Sequence, residues 1–465
     1  MDILNIISWV KGKRQVTSVD PTKTVIPVGL KDDRRDDGYL TGVITVEDLL
    51  SASASSIATL GKSLYSTDPL AGPVGPDYII ALGNSAGQNA SSAYSSNFIG
   101  DQAGQNAVNA ENSNFLGHQA GQNATYANYS NFIGSGAGSG AISASFTNFF
   151  GVEAGANATY ANYSNFIGEG AGRGATNAGQ SNFIGQLAGE NATNAYQSNF
   201  IGNRAGKNAT YARYSNFIGL SAGTDATNAY NSNIIGNYAG GDATNANSSN
   251  FIGITAGGAA ANASNSNFFG NRTGVFAINA NNSNFFGQEA GYQATSAAYS
   301  NFFGRYAGYQ ANAAFNGNFI GESAGYQATS GSNSNFIGSF AGYQATSANR
   351  SNFIGYETGF NATTAYDSNF IGTSSGSGAL TAHYSNFIGY QAGMNSTGNN
   401  VNAFGYQAHK GGTLSGQTVF ANATLPSYVD RTAATIAITV PNGAVAGSTY
   451  LYYNQTTFAI EAVRL

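Results

Sequence analysis

From Ser96 to Ile388 the chain repeats one pattern of apolar and polar positions every 17 residues. A polar pair, Ser-Asn, is followed by an apolar pair, usually Phe-Ile. Then come Gly, two variable residues, Ala and a second Gly, after which alanines alternate with polar residues. With the Ser numbered position 1, the Asn of position 2 stands at Asn97, Asn114, Asn131 and onward through Asn216 to Asn386, in 18 copies. Position 3 is Phe (Phe98, Phe115, Phe132) except at Ile234, position 4 is Ile, Leu or Phe, and positions 5 and 9 (Gly100, Gly104) are always Gly. A degenerate copy ends at Gly83, and a shortened one is Asn402-Ala403-Phe404-Gly405.

A fixed period of this length is too short for helical repeats and suits one turn of a β-solenoid, with two or three short strands per coil. The glycines of positions 5 and 9 predict bends, through positive φ or close backbone approach. No proline lies between Asp77 and Leu425, as a chain that gives its N–H groups to neighbouring coils requires. Side chains alternate along a strand, so adjacent Phe98 and Ile99 cannot both face one interior. With alanines at positions 8, 12 and 15, the core is predicted to be thin and one large apolar residue per coil to face outward. Soluble monomers rarely expose so long a stripe, which predicts burial against identical chains around an axis. The repeated Asn is expected to form an internal amide ladder that satisfies bend carbonyls.

Composition narrows the function classes. Only 9% of residues are charged, Cys is 0 and the net charge is −5. The acidic balance argues against a nucleic-acid partner, and the lack of cysteine excludes disulfides and thiolate metal sites. No apolar run is long enough for a membrane span, and no signal peptide is expected at Met1.

The flanks read differently from the repeat. Residues 1–45 are charged and carry the only Trp, Trp9, with a basic cluster at Lys11, Lys13 and Arg14 and a pair at Arg34 and Arg35; this segment is expected to order on docking. In 46–77, Val46, Leu50, Ser53, Ile57, Leu60 and Leu64 alternate steps of four and three, predicting a short coiled-coil neck that ends before a Pro-containing linker. The solenoid is expected over 78–407. Residues 408–465 read as a small β cap with strands near 435–440, 449–453 and 458–463.

The repeat resembles the β-roll heads of trimeric bacterial adhesins, whose repeats likewise run apolar pair, Gly, small residues and a second Gly; the resemblance implies three parallel chains. The stretch from Trp9 to Asp20, then Ile26 to Arg35 and Asp37-Gly-Tyr-Leu40, is similar to the amino termini of fibre proteins of marine, especially cyanobacterial, tailed phages. That similarity implies a virion anchor, with a tail or capsid protein as its partner. The carboxy-terminal segment resembles the end pieces of phage fibres.

Candidate chemistry is sparse. Glu153 and Glu169 fall at positions 7 and 6 of successive coils, where stacking could pair two carboxylates as a polysaccharide-cleaving tailspike requires; acidic residues at the same variable positions elsewhere favour a solvated surface. His118, His383 and His409 have no metal-ligand spacing. Gly61-Lys62-Ser63 lacks the earlier Gly of a phosphate loop. Tyrosines at Tyr126, Tyr129, Tyr160, Tyr163, Tyr211, Tyr214, Tyr292, Tyr309, Tyr326 and Tyr343 suit either packing ladders or adhesive contacts. The expectation is therefore an all-β, non-enzymatic structural fibre without cofactor or metal. It would be a homotrimer located in the virion, and in host cytoplasm during assembly, and would bind a host-surface glycan or protein. The alternative is a cellular adhesin or filament subunit.

Overall fold

The computed structural model describes residues 79–422 and, beyond them, the backbone of strands Val25–Lys31, Tyr39–Thr45, Leu64–Tyr65, Leu425–Asp430, Thr449–Asn454 and Ala459–Arg464. The chain divides into two units, Met1–Phe149 and Phe150–Leu465. Both are parallel β-solenoids of 17-residue coils, and the described residues contain no helix.

Each coil contributes one three-residue strand at positions 2–4, such as Asn97–Ile99 in the first unit and Asn216–Ile218 in the second. Neighbouring strands pair in parallel with like on like: Asn97 with Asn114, Phe98 with Phe115, Ile99 with Leu116. In place of further strands most coils have a single parallel bridge at position 13, as in the Thr159, Thr176, Thr193 and Thr210 series.

The rest of the coil is made of turns. In the coil of Gly100, the N–H of Ala103 donates to Gly100 O, that of Gln105 to Gln102 O and that of Ala107 to Gly104 O. The third residue of each overlapping turn, Gln102, Gly104 and Asn106, has φ of 56°, 63° and 57°, the positive value a type II turn demands. The intervening N–H groups leave the coil: Gln102 N–H reaches Asn84 O, Gly104 N–H reaches Ala120 O and Asn106 N–H reaches Gln88 O. Alternate amides thus close the coil and join it to its neighbours, so the buried backbone is satisfied without regular sheet.

The core is narrow. Phe98, Phe115 and Phe132 are fully buried, as are Ala103, Ala107 and Ala110 of the alanine positions. The Phe rings of successive coils lie 4.5–5.2 Å apart, mostly parallel, as in Phe166–Phe183–Phe200–Phe217, with edge contacts such as Phe319–Phe336. Position 4 faces out, with Ile99, Ile184 and Ile218 each 38% exposed.

The two invariant glycines serve different purposes. A Cβ on Gly100 would lie 2.5 Å from Gly117 O of the next coil, so this column is one of backbone against backbone. A Cβ on Gly104 would enter the ring of Phe98 in the same coil, at a φ of +63°, a conformation open to Gly at little cost.

Several boundaries differ from the sequence reading. Val25–Lys31 and Tyr39–Thr45 pair as an antiparallel hairpin within the expected anchor. The expected neck falls outside the described residues, except that Leu64 and Tyr65 form a strand parallel to Ile80 and Ala81. The solenoid ladder continues past 407, because Gln417–Asn422 pairs in parallel with Asn402–Gly405 before Leu425–Asp430 reverses direction. Of the expected cap strands, 449–454 and 459–464 form an antiparallel hairpin, and 435–440 lies outside the described residues.

Candidate functional site

The position-2 asparagines form a ladder in which Asn97 Nδ2 donates to Asn114 Oδ1 at 2.6 Å, Asn114 to Asn131 at 2.6 Å and Asn216 to Asn233 at 2.9 Å. The row is half-buried and its partners are other amides. The expectation of an internal row bonded to bend carbonyls is therefore corrected. Strand alternation sets Asn and Ile on one face, and the face shared by positions 1 and 3 turns inward.

The internal polar column is the serine of position 1, fully buried throughout. Ser215 Oγ donates to Ala229 O at 2.5 Å and accepts the N–H of Ser232 at 3.1 Å. The same bridge recurs at Ser198 and Ser283. Sequence reasoning missed this role. Its signal is the hydroxyl present at every position 1 except Gly317.

Trp9, Lys11, Lys13, Arg14, Arg34 and Arg35, the expected virion-anchor residues, lie outside the described residues. Of the two carboxylates weighed for hydrolysis, Glu153 pairs with Arg173 at 2.5 Å and Glu169 accepts from Gln186 Nε2 at 3.0 Å; both are exposed. They are held in separate surface contacts. The charged centre of this region is Glu190, 4% exposed, which pairs with Arg173 and, at 2.7 Å, with Lys207. Burial disfavours its charge, but the bonds from Lys207 and Arg173 outweigh that, and its carboxyl sits below the ordinary range. Among the described residues, no group of three His, Cys, Asp or Glu gathers to hold a metal, and no helix is long and apolar enough to cross a membrane. His118 is exposed, and His383 lies with its ring 4.1 Å from that of Tyr366.

His409 occupies position 9 of the terminal coil, where the array has Gly, and Ala403 occupies position 3, where it has Phe. The two exceptions compensate each other. With the Phe ring absent, the His ring takes its space, 6.5 Å from Phe387 and roughly parallel to it, and its Nδ1 lies 3.0 Å from Ser396 Oγ. Burial holds the imidazole below its usual range, partly offset by Leu414 and Gln417.

The tyrosines fall into two kinds. Tyr292, Tyr309, Tyr326, Tyr343 and Phe360 stack at 4.9–5.0 Å and are half-buried. Beside them runs a Gln ladder, in which Gln310 Nε2 donates to Gln293 Oε1 and Gln327 to Gln310. Stacking covers the ring faces, so this column is a packing spine that presents edges. Tyr160 and Tyr163 are different. They are 60% and 59% exposed, with φ of 51° and 60°. For a bulky residue the left-handed region costs about 1–2 kcal/mol, and Tyr126 and Tyr211 adopt it at similar exposure.

Tyr160 and Tyr163 border an open groove of about 470 Å³ whose lining also includes Asn162, Asn177, Gly179, Gln180, Asn194, Tyr196 and Arg213. Gly179 stands at position 16, where the neighbouring coils carry Asn162 and Tyr196, and the missing side chain makes the hollow. Arg213 sits over the Tyr230 ring, 5.4 Å from its centre. Rings, planar amides and one guanidinium line the hollow, and the lining holds no carboxylate. Neither protein-family models, curated proteins nor solved structures give a match to this chain.

Proposed function

We propose that the chain is a structural fibre protein of a tailed-phage virion, fixed to a tail or capsid protein through residues 1–45 and holding adhesive solenoid coils toward a host-surface glycan or protein. The observation that carries this reading is the outward column at position 4. Ile184, Ile201 and Ile218 follow one another in register, each 38% exposed. A continuous apolar row of this kind is best covered by an identical row in a closed ring. The number three comes from the likeness of the repeat to trimeric adhesin heads, and the anchor from the likeness of Trp9 to Leu40 to phage fibre termini. The function is mechanical and adhesive, with the virion as its location after assembly in the host cytoplasm.

Native mass measurement of the full chain tests the assembly: a trimer is expected, and a stable monomer refutes it. Particles produced with a chain lacking residues 1–45 test the anchor. They should lack the fibre while the truncated chain stays soluble, and normal incorporation refutes the assignment.

A further inference from the structure

We propose that the groove between Tyr160 and Arg213 is a carbohydrate-binding site that takes a short stretch of an oligosaccharide. The inference deepens the adhesive reading above and rests on it only in placing the ligand on a cell surface.

Two exposed tyrosines, Tyr160 and Tyr163, border the groove. At position 14 the backbone is left-handed in coil after coil, with φ of 49° at Asn177 and 50° at Asn194. Asn suits that region, because its short polar side chain bonds locally. Tyr160 stands at the same position with φ 51°, and Tyr163 at position 17 with φ 60°, where other coils have Asn112, Asn231 or Asn265. Tyr126 and Tyr211 hold the same left-handed backbone at similar exposure, so the conformation is a property of the coil; what distinguishes Tyr160 and Tyr163 is the hollow that their exposed rings border.

The neighbourhood says what the ligand is. Gly179 opens a floor between the rings, and the hollow of about 470 Å³ falls in the size range of small-ligand sites. Asn177 donates to Asn194 Oδ1 at 2.8 Å, and Gln197 to Gln180 Oε1 at 2.6 Å. A primary amide has two donors and two lone pairs, so these ladder bonds leave capacity for ligand hydroxyls. Arg213 adds a fork of donors at one end. Aromatic surface beside paired donors and acceptors matches a sugar ring, with an apolar C–H face and a rim of hydroxyls. A protein partner would call for a broader apolar core than this small hollow provides.

Full-length protein is applied to an array of neutral and uronate-containing hexasaccharides, with Tyr160→Asn and Gly179→Tyr as variants. Each variant installs a residue that other coils carry at the same position, so its melting temperature should match or exceed that of the wild type. Wild-type binding to one hexasaccharide class, weakened at least tenfold in both variants, is the expected result. Absence of wild-type binding to every class, or binding unchanged in both variants, overturns the site. If the variants block attachment to cells while the wild type binds no hexasaccharide, the partner is a protein and the proposal is wrong. Sugar binding by a chain that is not incorporated into particles would leave the groove standing and remove the fibre reading, so the two fail separately.

Discussion

Replacing Ser215 with Ala removes the hydroxyl that joins two coils at the core. Ser215 Oγ holds both the Ala229 carbonyl, at 2.5 Å, and the Ser232 N–H, at 3.1 Å. Both lie beside a fully buried side chain, out of reach of water. Each buried group left without a partner costs about 1–3 kcal/mol, and some relaxation of the coil lowers the sum, giving about 2–5 kcal/mol. In a repeat array such a loss acts mainly on the adjoining interface, and melting need not be two-state. Hydrogen exchange is therefore the suitable assay. At about 1.4 kcal/mol per tenfold, exchange at Ser232 and its neighbours should accelerate by roughly thirty-fold to a few thousand-fold. Ser215→Thr keeps the hydroxyl, as Thr147 does in another coil, and should exchange nearly as the wild type. Asn216→Asp loses only the half-exposed donor to Asn233, keeps the bond from Asn199, and should cost about 1–2 kcal/mol. Leu220→Glu, 43% exposed, should cost under about 0.5 kcal/mol. If Asn216→Asp proves more damaging than Ser215→Ala, the inside and outside of the coil have been assigned the wrong way round.

The exchange of residues at Ala403 and His409 predicts strong coupling between positions 3 and 9. A Cβ on Gly223 would lie 2.5 Å from the Phe217 ring, so Gly223→His alone should unfold its coil; the double variant Phe217→Ala, Gly223→His should recover much of the loss, and purely additive melting data would refute the coupling. Because burial lowers the His409 pKa, the unfolded chain takes up the proton first. The stability of the last coil should be complete above the unfolded value near 6.5 and fall as pH drops below it, read as faster exchange at residues 401–412. The same pH profile in His409→Gln would exclude His409 as its source.

Much of the coil could be read from the chain. The unbroken 17-residue spacing gave the parallel, like-on-like register, and the adjacency of Phe98 and Ile99 required one of them to face out. Which one was not legible, since both are large and apolar. Placing the Asn row inside conflicts with strand alternation once Phe is the core residue, because Asn97 and Ile99 share a face. The small serine resolves the conflict: a hydroxyl can bridge two coils in a thin interior, whereas amides need more room and bond one another outside. The run of left-handed turns was hidden because positions 7, 11, 14 and 17 accept residues as unlike as Gln102, Asn106, Tyr160 and Arg350, all at positive φ. Backbone bonds between coils impose that conformation against local preference. The groove was invisible for a related reason: it depends on one absent side chain, at Gly179, set among residues that are distant in sequence and adjacent in space.

Register like on like also limits how such a gene can change length. Ser, Phe and the two glycines each occupy a column of their own, so adding or removing a whole coil leaves every column intact. An insertion of one residue that its own coil does not absorb would shift all of them together, sending serines outward and setting bulky residues against backbone carbonyls. Growth by duplication or loss of complete coils is the tolerated route, and the number of coils is inherited in discrete steps. The end of the array shows a change absorbed within one coil: the interval from Asn386 to Asn402 is one residue short, yet Asn402 still pairs with Asn386, and the parallel ladder gains only one more strand before the chain turns back.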